Sequence, residues 1–176
     1  RKVNAIVIDK TGTLTIPNPN IDFTKADNIP FEEREQLKPN AAKAMARLKE
    51  EGIDVFMMSG DKEAAAHYWA EKTGIVHYKS EVRPDDKQKL VSQLQQEGKI
   101  VAMVGDGIND TQALATADVG IAIGRGTDVA MDVAQVTLMG NDLMALPEAV
   151  NMSRRTVRMI WQNLFWAFIY NLVCIP

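Results

Sequence analysis

Apolar residues form unbroken runs at three places: Ala5-Ile6-Val7-Ile8, Val55-Phe56-Met57-Met58 and Ile100-Val101-Ala102-Met103-Val104. Runs this short, each closed by Asp, Ser or Gly, read as strands buried on both faces. Between them the apolar spacing changes to that of helices. Ala41, Ala42, Met45 and Leu48 give one helix its apolar face, and Gly52 suits its C-terminal cap. The pattern predicts strands at 3–8, 53–58, 75–78, 100–104, 119–123 and 135–139. It predicts helices over 62–72, 84–96, 109–117 and 127–134, and a long one from Asp142 with a kink or restart at Pro147. Residues 15–37 are the least regular. Ile16-Pro17-Asn18-Pro19-Asn20 is turn-rich, Phe31 to Leu37 can begin a helix, and Lys38-Pro39 interrupts it. Pro39 then suits an early position of the next helix. Strands alternating with helices predict an α/β fold, a mostly parallel sheet covered on both faces with right-handed crossovers.

The C-terminal stretch departs from this pattern. Met159 to Pro176 carries no charge and holds Trp161 and Trp166. It approaches the roughly 20 apolar residues of a spanning helix, but Gln162, Asn163 and Asn171 interrupt it. Arg154, Arg155 and Arg158 precede it, as on the cytoplasmic flank of a membrane helix. The expectation is a truncated membrane segment; an amphipathic helix packed on the domain or on a partner is the alternative. No targeting sequence is visible, and the abrupt start suggests a piece of something longer.

Composition adds bounds. The 176 residues suffice for one domain with a full core. A net charge of -3 gives no sign of non-specific nucleic-acid binding. The single cysteine, Cys174, cannot form an internal disulfide, which suits a reducing compartment. His67 and His77 make no metal cluster by themselves, and His67, Met57 and Met58 read as core or surface residues.

The candidate chemistry lies where the strands end. The first run closes in Asp9-Lys10-Thr11-Gly12-Thr13, the second in Ser59-Gly60-Asp61, the third in Gly105-Asp106-Gly107-Ile108-Asn109-Asp110. Parallel sheets open their crevices at the carboxyl ends of strands. A carboxylate there acts as a nucleophile when cations and backbone amides neutralise a phosphoryl group. Asp9, Asp106 and Asp110 make an oxygen-rich set suited to Mg²⁺, and Lys87 can reach it from the preceding helix. Simpler roles stand beside these: Asp110 and Asp61 also read as helix caps. Gly120, Gly124 and Gly126 lack the register of a nucleotide loop, and close packing or turns account for them as well as a ligand does.

Asp9-Lys10-Thr11-Gly12-Thr13-Leu14-Thr15 resembles the phosphorylation motif of the P-type ATPases, within the haloacid dehalogenase-like superfamily. Ser59-Gly60-Asp61 resembles the family's Thr-Gly-Asp, Pro84-Asp85-Asp86-Lys87 its lysine segment, and Gly105 to Asp110 its hinge motif. The resemblance implies a haloacid dehalogenase-like Rossmannoid sheet in which Asp9 takes the γ-phosphate of ATP. Lys10, Thr11, Ser59, Gly60, Asp61, Lys87, Asn109 and Asp110 would serve catalysis, and Asp9, Thr11 and Asp106 would hold Mg²⁺. The C-terminal part resembles the copper(I)-exporting branch, where Tyr170-Asn171 would face copper(I) inside the membrane. Implied partners are the nucleotide-binding, actuator and membrane domains of a parent protein, membrane lipid at the C-terminus, and a copper chaperone for the parent. Residues 1–150 would face the cytoplasm at the cell membrane.

One departure matters. The family's nucleotide-binding domain would interrupt the chain after Thr15, yet residues 16–37 form only a short connector. The expected division is 1–15 and 38–150 as the phosphorylation domain, 16–37 as connector, and 151–176 as C-terminal helix and truncated membrane segment. Two rival readings remain. One is a free-standing phosphatase of the same superfamily, against which stands Thr11 where an acidic residue would serve as acid/base. The other is a non-catalytic fragment that binds membrane partners.

Overall fold

In the computed structural model the first apolar run becomes a central strand. Described are residues 2–124 and 128–174, without the side chains of 23, 26, 27, 108, 128–130 and 153–158. Strands β1 (Ala5–Asp9), β4 (Asp54–Met58), β5 (His77–Lys79), β6 (Val101–Gly105), β7 (Val119–Ile123) and β8 (Val136–Leu138) form one parallel sheet in the order β5-β4-β1-β6-β7-β8. The chain fills one side of β1, then returns to fill the other. That reversal of order opens a crevice at the carboxyl end of β1.

Alternation along β1 divides the core. Ile6 and Ile8 join the cluster that includes Met45 and Leu48 of α2 (Ala41–Glu50), Trp69 of α3 (Glu63–Thr73), and Leu146 and Val150 of α7 (Ala145–Cys174). Ala5 and Val7 join the opposite cluster, with Val91 and Leu94 of α4 (Pro84–Gln96) and Leu114 of α5 (Thr111–Thr116). All five residues of β1 and of β6 are buried, which accounts for their unbroken apolar runs. Among the other candidates, Met57 and Met58 are core residues, and His67 is exposed.

Several boundaries differ from the sequence expectation for local reasons. Residues 15–37 are ordered into β2 (Thr15–Pro17), a 3₁₀ helix at Phe23–Asn28, the single-turn α1 (Phe31–Arg34) and β3 (Glu35–Leu37). β2 and β3 pair antiparallel, Thr15 with Leu37 and Pro17 with Glu35. The expected helix to Leu37 thus stops after one turn, because Glu35 is already extended at φ −135°. Pro39 stays outside α2, since Asn40 at φ 60° is left-handed and caps it. Ala42 is exposed, and Ala44 takes its place on the buried face. Pro147 neither kinks nor restarts α7. It lies in the first turn, where no intrahelical N–H partner is required.

Gly120 is a packing glycine: a Cβ there would press on the Leu114 carbonyl of α5. The short α6 (Asp128–Val133) follows β7. Gly126 and Thr127, and the side chains of Arg154, Arg155 and Arg158, lie outside the described residues.

Val150 is the last α7 residue in the core cluster among the described residues. From Met159 to Val173 most of the helix's large apolar side chains, Trp161, Phe165, Trp166 and Phe168 among them, are exposed. Among the described residues no helix is long and apolar enough to cross a membrane.

Candidate active site

Strand register assembles the site. Asp9 stands opposite Met58, and Ile8 opposite Val104, so Ser59 and Asp106 follow directly at the ends of the flanking strands. Alternation then sets the direction of each side chain. Asp9 shares the parity of Ala5 and Val7, which face the α4 side. There Lys87, one turn into α4, donates to Asp9 Oδ1 at 2.8 Å and to Asp110 Oδ1 at 2.7 Å. Lys87 and Asp110 are buried, and Asp9 is 8% exposed.

Asp9, Asp106 and Asp110 bring carboxylate oxygens within 4.8 Å of one another. Two glycines make room for them. Gly12 turns at φ +78°, and a Cβ there would overlap the Asp106 carboxylate. A Cβ at Gly105 would overlap the Asp110 carboxylate.

The crowding is visible in the acid strengths. Burial, then the neighbouring Asp110 carboxylate, push Asp9 up to about 7, against the opposing pull of Lys87. Burial and Asp110 raise Asp106 as well. Burial disfavours the Lys87 ammonium, but its two carboxylates outweigh this and the group titrates above its ordinary value. These crowded, hard oxygen donors fit a Mg²⁺ ion. In the loop after Asp9, the buried Thr13 Oγ1 has no protein partner among the described residues.

The remaining candidates divide. Ser59 is buried, and its hydroxyl bonds to Asp61 Oδ2 at 3.2 Å while accepting from the Asp61 N–H at 3.1 Å. Gly60 is exposed in the same turn. Thr11 and Asn109 are exposed at the rim. Asp110 is therefore more than a cap: its side chain makes no capping bond and holds Lys87 instead. Asp61 does not cap α3 either, whose N-cap is Lys62. Lys10, although next to Asp9, has the opposite parity, and its buried ammonium pairs with Glu35 and with Asp61 (2.5 Å). Tyr170 and Asn171 lie exposed near the far end of α7, away from this cluster.

Two charged groups escaped the sequence reading. Glu35 lies on the connector, 25 residues from its partner Lys10. Lys38 is buried near the Gly124 turn. Burial lowers the pKa of its ammonium, and Asp106 opposes that shift. The available signal for Lys38 was a lysine fixed before a proline, at the return of the chain from the connector into the domain.

Comparison with known proteins gives the family. A family model described as haloacid dehalogenase-like hydrolase matches residues 21–118. The chain belongs to the haloacid dehalogenase-like hydrolases. Within them it is closely related to copper-transporting P-type ATPases. It is 52% identical over 140 residues to a probable copper-transporting ATPase, PacS, of Synechocystis sp., covering 80% of this chain and 19% of that protein. It is 51% identical over 140 residues to a copper-exporting P-type ATPase of Bacillus subtilis, covering 80% of this chain and 18% of that protein. The crystal structure of a zinc-transporting PIB-type ATPase superposes with a TM-score of 0.69 at 38% identity, over 74% of this chain and 21% of that one. The chain thus spans about a fifth of the length of these curated relatives.

Proposed function

We propose that this chain is the phosphorylation domain of an ATP-driven copper(I) exporter, with Asp9 as the residue that accepts the γ-phosphate. The supporting observation is the ion pairing of Asp9 with Lys87 at the carboxyl end of the central strand, beside Asp106 and Asp110. An Asp9 oxygen attacks phosphorus in line as the bond to the leaving nucleotide oxygen breaks. Lys87 and the Ser59 hydroxyl neutralise charge developing on the transferred group. Asp9, Asp106 and the Thr11 carbonyl would hold Mg²⁺, which when bound neutralises phosphoryl oxygens and lets Asp9 ionise. Asp110 fixes Lys87, and Gly60 lets the Ser59 turn approach the phosphate. Asn109 orients the rim.

In the parent protein, residues 1–15 and 38–150 form this domain, 16–37 stand where a nucleotide-binding domain would enter, and 151–176 lead toward the membrane. Nucleotide-binding, actuator and membrane domains, membrane lipid at the C-terminus and a copper chaperone are the partners this reading supplies, at a cell membrane with residues 1–150 on the cytoplasmic side. Tyr170 and Asn171 would meet copper(I) there as substrate. The names of the two relatives support copper over zinc.

Incubation with Mg²⁺ and acetyl phosphate or ATP tests the acceptor. The expected product is an acid-stable, hydroxylamine-labile acyl phosphate that disappears in Asp9→Asn. No labelling with either donor, together with no Mg²⁺-dependent beryllium fluoride binding, would refute it.

A further inference from the structure

Lys10 directly follows β1 in the phosphoryl-acceptor loop, yet its ammonium is turned to Glu35 and Asp61 while Asp9 pairs with Lys87, and it is 1% exposed. A lysine ammonium buried this fully needs a reason, because desolvating it is costly unless it is paired. Its two carboxylates come from two other segments. Glu35 belongs to β3 of the connector ribbon, and Asp61 to the turn after β4. We propose that Lys10 is a positioning residue, and that its ammonium, shared between Glu35 and Asp61, latches the seat of the β2–β3 ribbon to the turn that carries Ser59.

The connections are continuous. The base of the ribbon hangs on the acceptor loop, where the N–H groups of Thr13, Leu14 and Thr15 all donate to the Lys10 carbonyl, at 3.3, 2.9 and 3.1 Å. Lys38 N–H closes the return strand onto the Leu14 carbonyl at 2.9 Å. Glu35 lies further out, opposite Pro17, and its side chain reaches back to Lys10. On the other side, the Asp61 oxygen that Lys10 holds is the one that bonds the Ser59 hydroxyl. A displacement of β3 that withdraws Glu35 leaves Lys10 with Asp61 alone, and re-aims the carboxylate that orients Ser59. The three donors of an ammonium let one group serve both partners. Whatever the ribbon carries between Asn18 and Arg34 is thereby linked to phosphate handling without touching phosphate.

The effect on phosphate rests on the acceptor function proposed above, so the experiment separates the two. Mg²⁺–beryllium fluoride is titrated calorimetrically onto the full chain and its Glu35→Gln, Lys10→Met and Lys10→Arg variants, with amide resonances of Ser59 and Gly60 followed by NMR and melting temperature measured in parallel. Glu35→Gln keeps shape and an acceptor while removing the charge, at a side chain more exposed than Lys10 (15% against 1%), and it carries the test if Lys10→Met fails to fold. The latch predicts that Glu35→Gln weakens binding by about tenfold and moves the Ser59 amide resonance, with Lys10→Arg restoring most of what Lys10→Met loses. A merely structural pair lowers the melting temperature and leaves affinity and resonance in place. Folded Glu35→Gln with affinity within about twofold of the parent and an unmoved Ser59 resonance overturns the latch. If the parent chain itself binds no beryllium fluoride, the acceptor function fails, and the Ser59 resonance in Glu35→Gln alone decides the latch, a shift supporting it and no shift overturning it.

Discussion

Replacing Asp9 by Asn stabilises the metal-free chain, and does so more as pH rises. The folded state holds Asp9 at about 7 against an ordinary 3.8, chiefly through burial and the Asp110 carboxylate. The folded chain therefore keeps a proton that the unfolded chain has released throughout that window. Stability contributed by the protonated group is complete below 3.8 and is lost as pH rises through 7. The difference of 3.2 (7 minus 3.8) corresponds to about 4 kcal/mol. Asparagine keeps the size and an oxygen for Lys87 but has no charge to desolvate. Near pH 4 the variant and the parent should be nearly equal in stability. Near pH 8 the variant should be more stable by up to about 4 kcal/mol, or roughly 8–16 °C in melting temperature for a chain of this size.

The assay is urea unfolding in chelator at the two pH values. Asp106, also raised, contributes the same sense of slope to both proteins. Saturating Mg²⁺ should abolish most of the advantage, because the ion favours the carboxylate that asparagine lacks. A stability difference between parent and Asp9→Asn that is the same at both pH values would refute the reasoning: the carboxylate would then not be strained by burial and by Asp110.

Lys87→Met should cost about 3 kcal/mol or more, since it leaves Asp9 and Asp110 facing each other in a buried site; chemical unfolding with and without Mg²⁺ checks this, with Mg²⁺ recovering part of the loss. Gly12→Ala should destabilise more than Gly52→Ala, although both backbones are left-handed at similar φ (+78° and +75°), because a Cβ at Gly12 overlaps Asp106 while one at Gly52 meets nothing. The strain common to both is about 1–2 kcal/mol, and equal losses in paired melts would show that the Asp106 carboxylate moves aside freely.

The sheet and the Asp9 site were legible in the sequence because both follow from one feature, unbroken apolar runs that stop at carboxylates. A strand buried on both faces has no polar position until it leaves the core, so the first carboxylate marks the crevice. The convergence of Asp9, Lys87, Asp106 and Asp110 needs in addition that β1 lie between β4 and β6, an order that the alternation of strands and helices alone does not supply. The connector was not legible for the opposite reason. Thr15–Pro17 and Glu35–Leu37 are three residues each, too short to show a period of two, and their pairing depends on both being fixed at the base by Leu14, Lys38 and the Lys10 carbonyl. The early end of α1 belongs to the same pairing.

The division of labour inside the acceptor loop was legible in principle. Asp9 and Lys10 are adjacent, and adjacency in a strand means opposite faces. Continuing the parity of Ile6 and Ile8 one residue past β1 aims Lys10 away from the face that Asp9 shares with Ala5 and Val7, and its ammonium is accordingly found on Glu35 and Asp61. What parity cannot supply is the identity of the partners, since Glu35 and Asp61 reach Lys10 only after the ribbon and the Ser59 turn have formed. A motif read as a unit by spacing is thus two devices set back to back, with the carboxylate addressed to the site and the ammonium to the segments that hold the site's edges.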